Sequence, residues 1–80
     1  MVQKEINVKS TFDTRQIAYL VQCAGQFKSD VRLDKEDKKI NAKSIMGTIS
    51  LAISENDNIL VIVDGEDENI ALEEICKLLG

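Results

Sequence analysis

The segment Ile59-Leu60-Val61-Ile62-Val63 is the longest apolar run in this 80-residue chain. It is far short of the roughly 20 residues that cross a bilayer as a helix. Asp64-Gly65 breaks it on one side and the polar stretch Glu55-Asn56-Asp57-Asn58 precedes it on the other. A short continuous apolar run bounded by turn signals reads as a strand best placed centrally in a sheet. The rest of the fold must form around it.

The hydrophobic period changes several times along the chain and places the other elements. Residues 2–8 alternate, with Val2, Ile6 and Val8 on one face and Lys4 interrupting it. This predicts a strand near a sheet edge. Residues 13–27 switch to a helical period, with Ile17, Leu20, Val21 and Ala24 on one stripe. Asp13 and Gln16 have capping-box spacing at its start, and Gly25 can end or loosen it. Residues 29–34 alternate through Val31 and Leu33. The charged turn Lys35-Glu36-Asp37-Lys38 leads into a short strand over residues 39–43, through Ile40 and Ala42, and the pair forms a hairpin. Ser44 opens a shorter helix carrying Ile45, Met46, Ile49 and Ile53. After the apolar strand, Glu66-Asp67-Glu68 starts a last helix where the macrodipole favours negative charge. Its apolar face is Ala71, Leu72, Ile75, Leu78 and Leu79, and Lys77 sits in its last turn. The order is βαββαβα. The economical solution is an α+β domain over residues 1–80, an antiparallel four-stranded sheet covered on one face by three helices.

Composition narrows the chemistry. The chain contains no histidine, which removes the commonest general base, the commonest neutral metal ligand and any histidine phosphoryl carrier. Fourteen acidic against ten basic residues give a net charge of −4, against the basic footprint of a nucleic-acid binder. Lys28, Lys35, Lys38, Lys39 and Lys43 cluster mid-chain and the acidic residues lie toward the end, a pattern of solvated faces that can also steer a charged partner. Met1-Val2-Gln3-Lys4-Glu5 has no apolar signal core, so a cytoplasmic protein is expected, with no membrane contact. No metal site or cofactor motif is evident. Cys23 and Cys76 lack metal-ligand spacing; they read as reduced, half-buried thiols, with a helix-to-helix disulfide as the alternative.

One segment carries a resemblance. Lys39-Ile40-Asn41-Ala42-Lys43-Ser44-Ile45-Met46-Gly47 is very similar to the regulatory-serine segment of HPr, the histidine-containing phosphocarrier of the bacterial sugar phosphotransferase system. Met1-Val2-Gln3-Lys4-Glu5, Val21-Gln22, Phe27-Lys28-Ser29 and Gly65-Glu66-Asp67-Glu68 fit in order and spacing, so the resemblance covers the whole chain. It implies an open-faced β-sandwich with three helices. The family's active-site segment reads Gly-Leu-His-Ala-Arg-Pro. Aligned through Val21-Gln22, this chain reads Thr11-Phe12-Asp13-Thr14-Arg15-Gln16. Asp13 occupies the phospho-histidine position, and Arg15 alone is kept. The replaced histidine and retained serine resemble the Crh branch of the family.

The resemblance implies roles that compete with plainer ones. Asp13 is a helix N-cap, or a partial charge mimic beside Arg15, or an unsupported phosphoryl acceptor. Ser44 is a helix N-cap, or the serine that an ATP-dependent HPr kinase/phosphorylase phosphorylates, with Arg15 reaching the phosphate if the two helix starts lie close. Ile45, Met46 and Ile49 are core, or a surface for the kinase and for a LacI-type regulator like catabolite control protein A. The expected function is therefore a non-enzymatic regulatory protein, incompetent as a histidine phosphocarrier. Two alternatives stay open: an unphosphorylated module competing with HPr, and residual phosphotransfer through Asp13. Monomer and dimer, including one that exchanges the first strand, both stay open.

Overall fold

A computed structural model describes residues 1–80. The elements are β1 (Val2–Asn7), α1 (Thr14–Gly25), β2 (Asp30–Lys35), β3 (Lys38–Asn41), α2 (Ile45–Leu51), β4 (Asn58–Asp64) and α3 (Glu68–Leu79). The sheet order is β1-β4-β2-β3 and every pair is antiparallel. The apolar run therefore lies inside the sheet, in β4, and β1 lies at an edge, as the patterns require.

Register fixes which side chains meet the helices. Val63 pairs with Val2 and Val31, and Val61 pairs with Lys4 and Leu33. Ile59, Val61, Val63, Val31 and Leu33 point into the covered face, where each is at most 1% exposed. They meet Leu20 and Ala24 of α1, Leu51 at the end of α2, and Ala71, Ile75 and Leu79 of α3 in one core. The alternate residues Leu60 and Ile62 lie on the open face. There Arg32 and Asp34, their neighbours on β2, form a two-pronged ion pair with contacts of 2.9 and 3.0 Å.

Several boundaries differ from the periodic pattern, each for a local reason. Val8 leaves the β1 ladder yet stays buried, because its backbone pairs with Asn56 and Asp57. β3 stops at Asn41, whose carbonyl accepts from Ser44 N–H and whose side chain accepts from Lys43 N–H. The helix expected to run to residue 27 ends at Gly25, with Gln26 as its cap. Ile53 is not on α2: Ala52 takes a left-handed φ of 55° and ends the helix, and Ile53 is buried in the following loop. In the hairpin, Lys35 pairs with Lys38, and Glu36 takes φ 55° in the two-residue turn.

Gly65 is the one glycine that the fold demands. Its φ is +152°, and a Cβ there would sit 2.6 Å from the Ser29 Cα. That close approach brings the start of α3 against the loop before β2.

Candidate functional site

Ser44 is the N-cap of α2. Its backbone is extended, its Oγ accepts from Gly47 N–H at 3.2 Å, and its carbonyl accepts from Thr48 N–H and Oγ1. The residue is exposed. A Cβ on Gly47 would lie 3.3 Å from Ser44 Oγ, so glycine keeps the space beside the hydroxyl open. An oxygen placed here faces the free amides at a helix start.

The apolar residues of α2 divide between two faces. Thr48 and Leu51 are buried. Ile45, Met46 and Ile49 are 44%, 73% and 43% exposed, in a row beside Ser44. The core alternative for these three residues is therefore not what the fold adopts. A helix of only seven residues cannot bury every side, and here the hydroxyl-bearing Thr48 faces inward.

α2 is held at its far end by lysines. Lys35 Nζ donates to the Leu51 and Ala52 carbonyls at 3.2 and 2.9 Å and pairs with Asp57 at 2.8 Å. Lys38 Nζ donates to the Ser50 carbonyl. These carbonyls are the unpaired acceptors that every helix end leaves. Lys43 Nζ donates to the Phe27 carbonyl just past α1. Much of the mid-chain basic cluster is thus structural rather than a solvated face, and only Lys39 lacks a partner. Sequence alone had no signal for these contacts, because the carbonyls belong to other segments. The Lys35 hydrogen bond, followed by the Ser54 N–H, holds the Asp57 carboxyl below its ordinary range.

Asp13 and Arg15 are not joined. Asp13 Oδ1 accepts from Gln16 N–H at 2.9 Å, and Gln16 Oε1 accepts from Asp13 N–H at 3.1 Å. This is the reciprocal capping box expected from the spacing. Thr11 Oγ1 accepts from Glu55 N–H and Phe12 N–H donates to the Ile53 carbonyl, which fixes the approach to α1. Arg15 makes no ion pair; it borders a groove with Phe12, Gln16, Tyr19 and Leu78, and no residue of α2 lines that groove. α1 and α2 pack against each other, yet no hydrogen bond or ion pair links Arg15 to Ser44.

Sequence reasoning passed over Tyr19, which is 61% exposed, because it lies off the apolar stripe of α1. Both cysteines are unpaired and half-buried, so the disulfide does not form. Burial raises both thiols above their ordinary range, and Glu74 adds to the effect at Cys23. No group of histidine, cysteine, aspartate or glutamate side chains is arranged to hold a metal. No helix is long and apolar enough to cross a membrane.

The fold defines a small open-faced α+β sandwich whose exposed serine caps a short, apolar-faced helix. Comparison with known proteins agrees. A family model described as "PTS HPr component phosphorylation site" matches residues 2–80, and the chain belongs to the HPr family. It is 48% identical over 78 residues to the HPr-like protein Crh of Bacillus subtilis (strain 168), spanning 95% of this chain and 92% of that protein. The crystal structure of the phosphocarrier protein HPr from Bacillus anthracis str. Ames superposes with a TM-score of 0.94 at 37% identity, covering 99% of this chain and 96% of that one. The crystal structure of Bacillus subtilis Crh, described as a dimer with a swapping domain, gives a TM-score of 0.79 at 46% identity, covering 99% and 93%. The chain is thus an HPr-family, Crh-like protein whose sequence lacks the histidine that names the carriers.

Proposed function

We propose that this protein is a regulator rather than a phosphoryl carrier. An HPr kinase/phosphorylase phosphorylates Ser44, and the phosphorylated form docks on a LacI-type transcription regulator akin to catabolite control protein A. The observation that carries this reading is the exposed Ser44 hydroxyl at a helix start, beside the exposed row Ile45, Met46 and Ile49. A phosphate there gains from the free amides and the helix dipole. Arg15 has no ion-pair partner to give up and supplies a further phosphate contact by turning out of its groove. Ile45, Met46 and Ile49 supply apolar contact area, and methionine adapts to an uneven surface. The site needs no cofactor or metal, the chain has no catalytic role of its own, and it acts in the cytoplasm.

Asp13 serves as a cap in this reading. Its carboxylate is engaged with the backbone of α1, and nothing resembling an acyl-phosphate centre surrounds it. A second reading is supported by one observation: the α2 row is exposed without any phosphate, so an unmodified protein can compete with HPr for shared partners. The protein acts as a monomer or, like the exchanged Crh, as a dimer.

Intact mass after incubation with ATP, magnesium and purified HPr kinase/phosphorylase tests the first step. One phosphoryl group on the wild type and none on Ser44→Ala is the expected result. Incubation with phosphoenolpyruvate and enzyme I should add nothing. A phosphoryl group on Asp13 in that second reaction would instead restore the carrier role, and an unmodified Ser44 would leave the competing module as the function.

A further inference from the structure

β1 is the longer of the two open edges of the sheet, and the Ser44 switch does not use it. Val8 N–H donates to the Asp57 carbonyl and the Val8 carbonyl accepts from Asn56 N–H, so the backbone of Val8 faces the β4 side. Backbone groups alternate sides along a strand. Those of Gln3, Glu5 and Asn7 therefore face away from β4. Lys9 N–H, next in that series, reaches outward to the Leu79 carbonyl at 3.4 Å. No backbone hydrogen bond is made by Gln3, Glu5 or Asn7 on that outer side.

α3 overhangs this edge. The largest hollow of the molecule, about 680 Å³, is lined by the consecutive residues 4–7 of β1 and by Leu72 and Cys76 of α3. Side chains of consecutive strand residues point to opposite faces, so they line one hollow together only along the strand's edge. Asn69, Glu73 and Lys77 continue the α3 wall at helical spacing. An extended segment about 4.8 Å from β1, the spacing of paired strands, falls within this hollow.

Charge selects the segment. Lys4 pairs in register with Val61 and shares its face, toward α3. Neither Lys4 nor Lys9, at the end of the hollow, has an ion-pair partner. Of the carboxylates there, Glu73 is paired with Lys77 at 3.4 Å, and Glu5 lies on the opposite face of the strand from Lys4. A lysine turned inward on an edge strand repels unsuitable pairing and admits a segment that brings a carboxylate.

We propose that the β1 edge and α3 form a docking groove for an extended acidic segment of a partner protein, added antiparallel as a further strand. Its main chain pairs with Glu5 and Asn7. A carboxylate stands opposite Lys4. Two residues away an apolar side chain stands opposite Ile6 and meets Leu72 and Cys76, and a second carboxylate lies at the Lys9 end. The occupant is not a second copy. Symmetric pairing of two β1 edges in the central registers sets Lys4 against Lys4 or Glu5 against Glu5, and like charges directly opposite destabilise a pair.

The test follows amide chemical shifts of the isotope-labelled full chain. The probe is the peptide acetyl-Glu-Thr-Val-Thr-Glu-amide, added to about 5 mM, enough to detect a millimolar dissociation constant. Saturable shifts at Glu5, Asn7, Leu72 and Cys76, with slowed exchange of the Glu5 amide, are expected. Lys4→Glu should raise the dissociation constant about tenfold or more, and a thermal melt establishes that the variant is folded. The peptide with lysine in place of both glutamates should not bind. N-methylation of both threonine amides keeps every side chain and removes the ladder donors, so it should abolish binding. Ser44→Ala should bind the peptide unchanged, so this inference and the phosphorylation switch fail independently. Absence of saturable shifts, or shifts confined to α2 or the Arg15 groove, overturns the proposal. So does equal binding of the N-methylated peptide. A Glu5 amide already protected in the concentrated free protein also overturns it, because a second copy would then hold the edge.

Discussion

Asp67 is held by three donors: Lys28 N–H at 3.0 Å, Ser29 N–H at 2.9 Å and Ser29 Oγ. It stands at the N-cap of α3 but makes no capping bond there. Its carboxylate instead ties α3 to the loop before β2. The Ser29 hydroxyl first, then the Lys28 N–H, lower its pKa from 3.8 to about 2. A carboxyl whose folded pKa is depressed contributes stability above its unfolded pKa and loses it as pH falls through the folded value. Melting temperature should therefore fall between about pH 4 and pH 2, and Asp67→Asn should flatten that part of the profile. Ser44→Ala should cost about 1 kcal/mol from the lost cap, measurable by urea denaturation, and should abolish phosphorylation. The Asp13–Gln16 box was legible because both partners lie within one helical turn. The Ser29–Asp67 tie was not, because 38 residues separate its ends and acidic residues before a helix suggest only dipole stabilisation.

α2, the element that carries the proposed Ser44 switch, is short. Seven residues form a helix only marginally by themselves. Ser44 holds its start, and Lys35 and Lys38 hold its end. Lys35→Met should remove bonds to two carbonyls and the pair with Asp57. It should destabilise the protein by about 1.5–3 kcal/mol, the range for hydrogen bonds to charged groups, with faster amide exchange in the last turn of α2. Met46→Asp, by contrast, changes a residue 73% exposed and should alter stability by less than about 0.5 kcal/mol. It should nonetheless abolish regulator binding. The existence and start of α2 were readable from Ser44 and the apolar spacing. Its facing was only half readable. Ile45, Met46 and Ile49 are as apolar as a core stripe, and only the packing of Thr48 and Leu51 decides which face is inside.

The whole molecule depends on a small core built around β4. Helices from three parts of the chain meet its covered face, and 14 buried residues form one cluster. Leu20 is fully buried where α1 meets this cluster. Leu20→Ala should cost about 2–5 kcal/mol, a large share of the stability a domain of this size can hold. Thermal denaturation would show it as a marked drop in melting temperature. The layer order followed from the sequence because an uninterrupted apolar strand has no stable place except the middle of the sheet. The joining of Arg15 and Ser44 did not follow. It depends on side-chain directions of two helices that pack together, and in the unmodified protein Arg15 borders the α1–α3 groove instead. In the proposed function, phosphate on Ser44 switches docking. The most direct measurement is calorimetric titration of a LacI-type regulator with the phosphorylated and unphosphorylated forms, with Arg15→Ala beside each. Tight binding by the phosphorylated wild type alone, weakened by Arg15→Ala only in that form, is the expected result. Equal binding by both wild-type forms would contradict it.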